Sequence, residues 1–334
     1  MTEITSIARS RSWRGGLVVD DDVRPDEVAA AVQAADGLVW IDLLRPGVDE
    51  LTELTEDLGL PATAVEDALE PWERPKVARH EDYLFFTVYA ARLVPSEEGE
   101  VLGGRITTGR VSGIVTPRAL LTIRIDDEFD MADVLRRWEE SSDLLRFGSG
   151  ALVHGLFDVV VDGHFDTIQQ LDDEAERLED LLFGQRRTSS AFIRQVFELR
   201  KHLVQVRRVV LPMREVVNTL LRHRAGESDG LDSWYDDLYD HVLRASEWTE
   251  SLRDMVTTLF ETNLSLQDSR LNQIMKKLAG WGAIIAVPTA ITGWFGQNVP
   301  YWGFSQPFGV ALSAGLIVAT SAGLWAVFRA NDWL

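Results

Sequence analysis

Cysteine is absent from the 334 residues, which excludes disulfide scaffolds, thiolate metal ligands, cysteine nucleophiles and thiol redox switches together. Positive charge is scarce: 33 Lys and Arg face 53 Asp and Glu, a net charge of -20. Duplex binding needs a basic face to displace counterions from phosphates, so no nucleic acid partner is expected. No GxxxxGK[ST] loop, HExxH pair or nucleophile elbow occurs, and His80, His154, His164, His202, His223 and His241 are scattered. The sequence therefore reads as a non-enzyme. Met1 to Arg14 carries Arg9, Arg11 and Arg14 among Ser and Thr without an apolar run, so no cleaved signal peptide is expected.

Charge is also missing locally. From Leu278 to Leu334 the charged side chains are Arg329 and Asp332 alone, leaving 32 Lys and Arg against 52 Asp and Glu in the first 277 residues. The mean hydropathy of -0.05 averages two different materials. Residues 278–295 and 308–328 are uncharged runs of 18 and 21 residues. As helices they reach roughly 27 and 31 Å, against a hydrocarbon core of about 30 Å. The first run holds Gly280, Gly282, Pro288 and Gly293, so a buried helical hairpin of a soluble protein is the rival reading. Flanking residues favour the membrane: Lys276 and Lys277 precede the first span, Arg329 follows the second, and loop 296–307 has no Lys or Arg. Both chain ends are then cytoplasmic, with 329–334 as a short tail, in a cell inner or plasma membrane. Trp281, Trp294, Trp302, Trp325 and Trp333 sit near the span ends, where amphipathic rings favour the headgroup level.

The acidic part divides again. Residues 1–150 read as a small cytosolic α/β domain, with strands at 38–43, 83–90, 110–115 and 119–125 and helices at 48–58 and 62–69. From 151 to 230 the pattern is long antiparallel helices, at 151–183 and 189–223, and 231–277 is the cytosolic part of a stalk helix running into the first span. An unbroken helix from 231 to 295 would reach about 97 Å, too long for a monomer. The fold class is thus an α+β cytosolic domain, long helices and two C-terminal transmembrane helices.

One face of the stalk helix repeats every seven residues: Glu261, Asp268, Met275, Gly282, Thr289 and Gly296, with Asn272, Leu278, Ala286 and Gly293 three or four positions away on the same stripe. Such a period keeps one face toward an axis in a supercoil. The stripe passes from acidic and polar to small and apolar, then ends at Asn298. Small residues also serve close helix packing, so packing and a lumen both remain open for the glycines. A second stripe, Leu238, Val242, Ala245, Leu252, Val256, Leu259 and Leu266, is suited to burial against body helices or a neighbouring subunit.

Gly296-Gln297-Asn298 follows the first span, which is preceded by Asn272-Gln273-Ile274-Met275-Lys276-Lys277. With Arg74-Pro75-Lys76-Val77, Pro212-Met213-Arg214-Glu215, Tyr239-Asp240-His241 and a terminal Trp333-Leu334, the chain resembles the CorA family of divalent-cation channels over nearly its whole length. The family signature is Gly-Met-Asn at the outer end of the first span. The resemblance implies a funnel-shaped homopentamer in the lipid bilayer, with the first spans lining one pore for divalent cations, Mg²⁺ above all and Co²⁺ or Ni²⁺ after it. It implies that Asn298 carbonyls recognise the hydrated ion, that Gln297, Gly296, Gly293 and Thr289 continue the path, and that Ala286, Leu278 and Met275 form an apolar neck. It further implies intersubunit acidic sites where bound Mg²⁺ regulates closure, with Asp237 as one member and Glu97 or Glu98 as its partner. Gln297 stands where the family has Met, a variation found in relatives such as zinc-transporting ZntB-like members. The outer loop lacks the usual acidic residue, and Arg329 stands alone where relatives carry a basic cluster. A ZntB-like zinc transporter and a tail-anchored oligomeric interaction protein without conduction are the alternatives.

Overall fold

Strand residues that alternate between two apolar faces must be covered on both sides, and Gly37–Leu44 is such a strand: all but its last residue are buried. Its Val39, Ile41 and Leu43 enter one hydrophobic core while Leu38 and Trp40 enter another. The sheet therefore lies between two helical layers, as the two-residue strand period dictates. The computed structural model describes residues 6–34, 37–70, 73–95, 104–184, 190–224, 230–297 and 300–333.

The strands are β1 (Ile7–Arg14), β2 (Leu17–Asp20), β3 (Gly37–Leu44), β4 (Lys76–Arg79), β5 (Leu84–Val94), β6 (Arg105–Thr116) and β7 (Ala119–Arg124). They form one sheet in the order β2-β1-β3-β7-β6-β5-β4, antiparallel except for the β3–β7 pair. Helices α1 (Pro25–Gln33), α2 (Val48–Asp57) and α3 (Thr63–Leu69) precede α4 (Met131–Glu140), a 3-10 turn at Ser142–Phe147, and α5 (Ser149–Phe183). Then come α6 (Ser190–Arg224), α7 (Asp232–Phe295) and α8 (Pro307–Ala330). The expected strands and long helices are present with ends moved by a few residues. Strands β1, β2 and β4 and helices α1 and α4 were not anticipated. In β1 the residues Arg9, Ser10, Arg11 and Ser12 conceal the strand, because Ser10 and Ser12 are buried while Arg11 pairs with Asp21 and Glu139.

Core geometry explains several polar choices. Asp42 on β3 is fully buried, and Arg124 on β7 binds both its carboxylate oxygens, through Nε at 3.1 Å and Nη2 at 2.5 Å. Thr122 donates to the same carboxylate, Trp40 Nε1 donates to Thr122, and Arg124 Nη1 donates to the Phe129 carbonyl, so the polar side chains of this cluster satisfy one another and the backbone. Gly113 of β6 pairs with Phe86 of β5, and a Cβ there would stand 2.1 Å from the Phe86 ring. Glycine is required at that position because the aromatic ring lies across it.

The chain divides into two units, Met1–Leu259 and Phe260–Leu334, and α7 contributes to both. In the first unit α7 buries Leu238, Val242, Ala245, Leu252, Val256 and Leu259, the apolar stripe legible in the sequence. Arg207 of α6 reaches Glu250 at 2.6 Å and Trp248 Nε1 donates to Asp172 of α5 at 3.2 Å, so α7 is pinned to both long helices. Leu266, in the second unit, is half-buried.

Candidate functional site

In the second unit the uncharged half of α7 and the whole of α8 are long and apolar enough to cross a membrane. Only 6% of the apolar stretch of α7 is buried and none of that of α8. A core hairpin of a soluble protein would have both interiors hidden, so the exposed hydrocarbon calls for another apolar phase.

Within this half of α7 exposure is one-sided. Gly280 is buried and Ala283, Ile284, Val287, Pro288, Ile291 and Phe295 are partly covered. Gly282, Ala286, Thr289, Gly293 and Gly296 are exposed. At about 100° per residue the two sets lie on opposite sides of the helix. The covered residues of α8, Gly309, Leu312, Ser313, Ile317, Ser321, Leu324 and Phe328, likewise make one stripe. Each spanning helix therefore shows one face partly covered within the unit, and the heptad stripe of α7 is turned to the other side. Toward the N-terminal end of the same stripe, Glu261, Asp268, Asn272, Met275 and Leu278 are all exposed as well.

A methyl group added at Gly282 or Gly293 would meet nothing within 4 Å. Glycine in a helix costs about 1 kcal/mol relative to alanine, so packing within one chain does not account for these two. Thr289 donates its hydroxyl to the Ile285 carbonyl at 3.1 Å, which leaves oxygen lone pairs free to accept from a hydrated ion.

Helix α7 closes with the Gly296 amide on the Thr292 carbonyl at 2.8 Å and the Gln297 amide on the Trp294 carbonyl at 3.3 Å. Its C-terminal carbonyls, the negative end of the helix dipole, thus point into the connecting loop. Tyr301 holds the loop there: its hydroxyl donates to the Phe295 carbonyl and its ring meets Phe295 and Phe304 edge-on, while Trp302 meets Phe308. Arg329 lies over the Trp325 ring at the other end of α8. Asn298, the predicted selectivity residue, lies outside the described residues.

The predicted regulatory residue Asp237 sits on α7 in the first unit with its side chain 69% exposed, 3.8 Å from His241 Nε2. Both residues line a cavity of about 260 Å³ together with Arg137, Asp158, Asp162 and His154. Arg137 is ion-paired to Asp158 and to Asp162, the latter at 2.7 Å. Sequence reading missed this cluster, although the four-residue spacing of Asp158 and Asp162 places them on one helix face. Among the described residues no three His, Asp or Glu side chains converge as a metal site. Glu97 and Glu98 lie outside the described residues.

The family model described as CorA-like Mg²⁺ transporter protein matches residues 35–329. A cobalt/magnesium transport protein CorA of Methanocaldococcus jannaschii is 28% identical over 302 residues, covering 89% of this chain and 92% of that protein. The cobalt/magnesium transport protein CorA of Thermotoga maritima is 27% identical over 310 residues, covering 88% and 83%. The complete structure of the CorA magnesium transporter from Methanocaldococcus jannaschii superposes with a TM-score of 0.72 at 25% identity, over 97% of this chain and 98% of that one.

Proposed function

The chain belongs to the CorA-like Mg²⁺ transporter family, whose members carry divalent metal ions across membranes, and from that premise we propose that it assembles as a homopentamer conducting Mg²⁺ into the cytosol. Co²⁺ and Ni²⁺ share the pathway. The observation that carries this reading is the exposure of Gly282, Ala286, Thr289, Gly293 and Gly296 opposite the face of α7 covered within the unit, continued toward the N-terminus by exposed Leu278, Met275, Asn272, Asp268 and Glu261. Two spans per chain cannot enclose a path, whereas a ring of identical helices turns each stripe residue into a ring of ligands.

The chemistry follows from the residue types. Mg²⁺ gives up its waters reluctantly, so neutral oxygens at Asn298, beside Gln297 and the α7 C-terminal carbonyls, recognise the hydrated ion by hydrogen bonds and release it again. Gly293, Gly296 and Gly282 leave width for the hydration shell, and Thr289 supplies a hydroxyl on the way. Leu278, Met275 and Ala286 form an apolar neck that closes by losing its water. Below it Asn272, Asp268 and Glu261 collect the ion. A divalent ion entering an interior-negative cell gains about 4.6 kcal/mol per 100 mV, sufficient to drive import. Asp237, facing an acidic residue of the next subunit such as Glu97 or Glu98, would bind Mg²⁺ and hold the ring closed; relief of carboxylate repulsion is the differential interaction that shifts the equilibrium.

Gln297 in place of the family Met favours a second reading, zinc as the cargo. Purified protein in liposomes distinguishes them: Mg²⁺, Co²⁺, Ni²⁺ and Zn²⁺ are offered in competition under an applied potential. The proposal expects Mg²⁺ to pass and Asn298→Ala to reduce flux at least tenfold while still assembling. Undiminished flux in an assembled Asn298→Ala protein overturns the pore mechanism, and exclusive passage of Zn²⁺ establishes the second reading.

A further inference from the structure

The two longest helices wholly inside the first unit have opposite charge. Helix α5 holds nine Asp and Glu against one Arg, and α6 holds eight Lys and Arg against two Glu. They share an apolar seam, with Leu171, Ala175 and Leu178 of α5 and Val196, Leu199 and Leu203 of α6 buried, so their charges point outward. On α5, Asp166, Asp173 and Asp180 are exposed at seven-residue spacing. On α6, Arg194, Lys201 and Arg208 are exposed at the same spacing. Each row spans about 21 Å. Among the described residues no ion pair of α6 crosses to α5: Arg207 binds Glu250 of α7, while Lys201 and Arg222 bind Glu198 and Glu215 of α6 itself.

Both rows have exposed apolar neighbours, and the acidic one borders a cleft. Phe197 and Val204, 53% and 43% exposed, alternate with the basic residues, and Leu181 is 50% exposed beside the acidic ones. A cleft of about 520 Å³ opens on the acidic face between Leu93 and the turn carrying Asp173, Glu176 and Asp180. Arg177 shares this face with its Nε donating to the Asp173 carbonyl, so the face remains net negative.

We infer that the occupant of each face is a second copy of this chain: the acidic row of α5 in one subunit docks on the basic row of α6 in the next. Matched length and period with opposite sign make the contact head-to-tail, the kind that generates a ring by rotation. The heptad spacing on both rows fits helices lying side by side. This rests on the oligomeric reading above and names the surfaces that build the ring.

Full-length protein in detergent is measured by light scattering across a concentration series and at rising salt, with circular dichroism checking the fold. Arg194→Glu/Lys201→Glu/Arg208→Glu and Asp166→Lys/Asp173→Lys/Asp180→Lys are each expected to need at least tenfold more protein to assemble. An equimolar mixture of the two folded variants is expected to assemble at lower protein concentration than either alone, because opposite rows meet wherever the two kinds of chain alternate; a ring of five then keeps a single like-charged contact. Mixing cannot repair a contact made within one chain, so a mixture that assembles no better than either variant alone overturns the inference. Wild-type assembly with both variants unimpaired also overturns it. Loss of binding to phosphatidylserine vesicles by the α6 variant with assembly intact does the same, and assigns the basic row to lipid. A wild-type protein that never assembles rejects the oligomeric reading itself, a separate result.

Discussion

His164 is the residue whose burial has the clearest thermodynamic consequence. Its ring is fully enclosed on α5 and its Nε2 lies 2.8 Å from the Tyr89 carbonyl of β5. Burial pushes its pKa down from 6.5 to about 4, a fall only partly opposed by the hydrogen bond. The unfolded chain therefore takes up this proton near pH 6.5 while the folded chain does not. Stability from this group is complete above pH 6.5 and is lost as pH falls toward 4, by about 3 kcal/mol at most. Urea midpoints of the full-length protein measured from pH 7.5 to 4.5 should decline with acidity, and His164→Gln should flatten that decline. An identical slope in the variant would show that other groups carry the acid sensitivity. His164 could not be chosen from the six histidines by sequence, because its neighbour Tyr89 is 75 positions away and the pair exists only after α5 packs on the sheet.

Among the elements α7 was the most legible and the N-terminal strands the least. A seven-residue repeat is local information, so the exposed stripe of Met275, Gly282 and Thr289 and the buried stripe of Leu238, Ala245 and Leu252 were both readable. Strand β1 was not, since Arg9, Arg11 and Arg14 break the apolar alternation and its burial depends on β3 alongside. The cavity holding Arg137, Asp158 and Asp162 beside Asp237 was hidden for the same reason: it joins α4, α5 and α7. Asn298, Glu97 and Glu98 stay where the sequence put them, as proposals. At the level of the element, an apolar neck on α7 makes a definite prediction. Met275→Asn places an amide where water must be excluded for closure, so Mg²⁺ flux into liposomes at high internal Mg²⁺ should rise severalfold. Flux that stays at the wild-type level, in a protein of wild-type assembly, would remove Met275 from the gate.

For the whole molecule, the missing charge and the missing cysteine meet in one experiment. The net charge of -20 belongs to the first 277 residues, and the apolar remainder carries one Arg and one Asp. By the positive-inside rule, Lys276, Lys277 and Arg329 on one side and an unbasic loop on the other predict that the two spans are oriented with that acidic body in the cytosol. A chain without cysteine has no background in thiol labelling, so any introduced thiol reports its own location. Ser305 in the connecting loop and Ser233 at the start of α7 are both exposed. In intact cells a membrane-impermeant maleimide should label Ser305→Cys and leave Ser233→Cys untouched until the cells are permeabilised. The reverse pattern would invert the topology and place the acidic body outside, and labelling of both would mean that the apolar helices do not span. The expected pattern leaves the carboxylates on the cytosolic side of the membrane, where their field attracts the cations that enter and lends the regulatory reading of Asp237 its electrostatic setting.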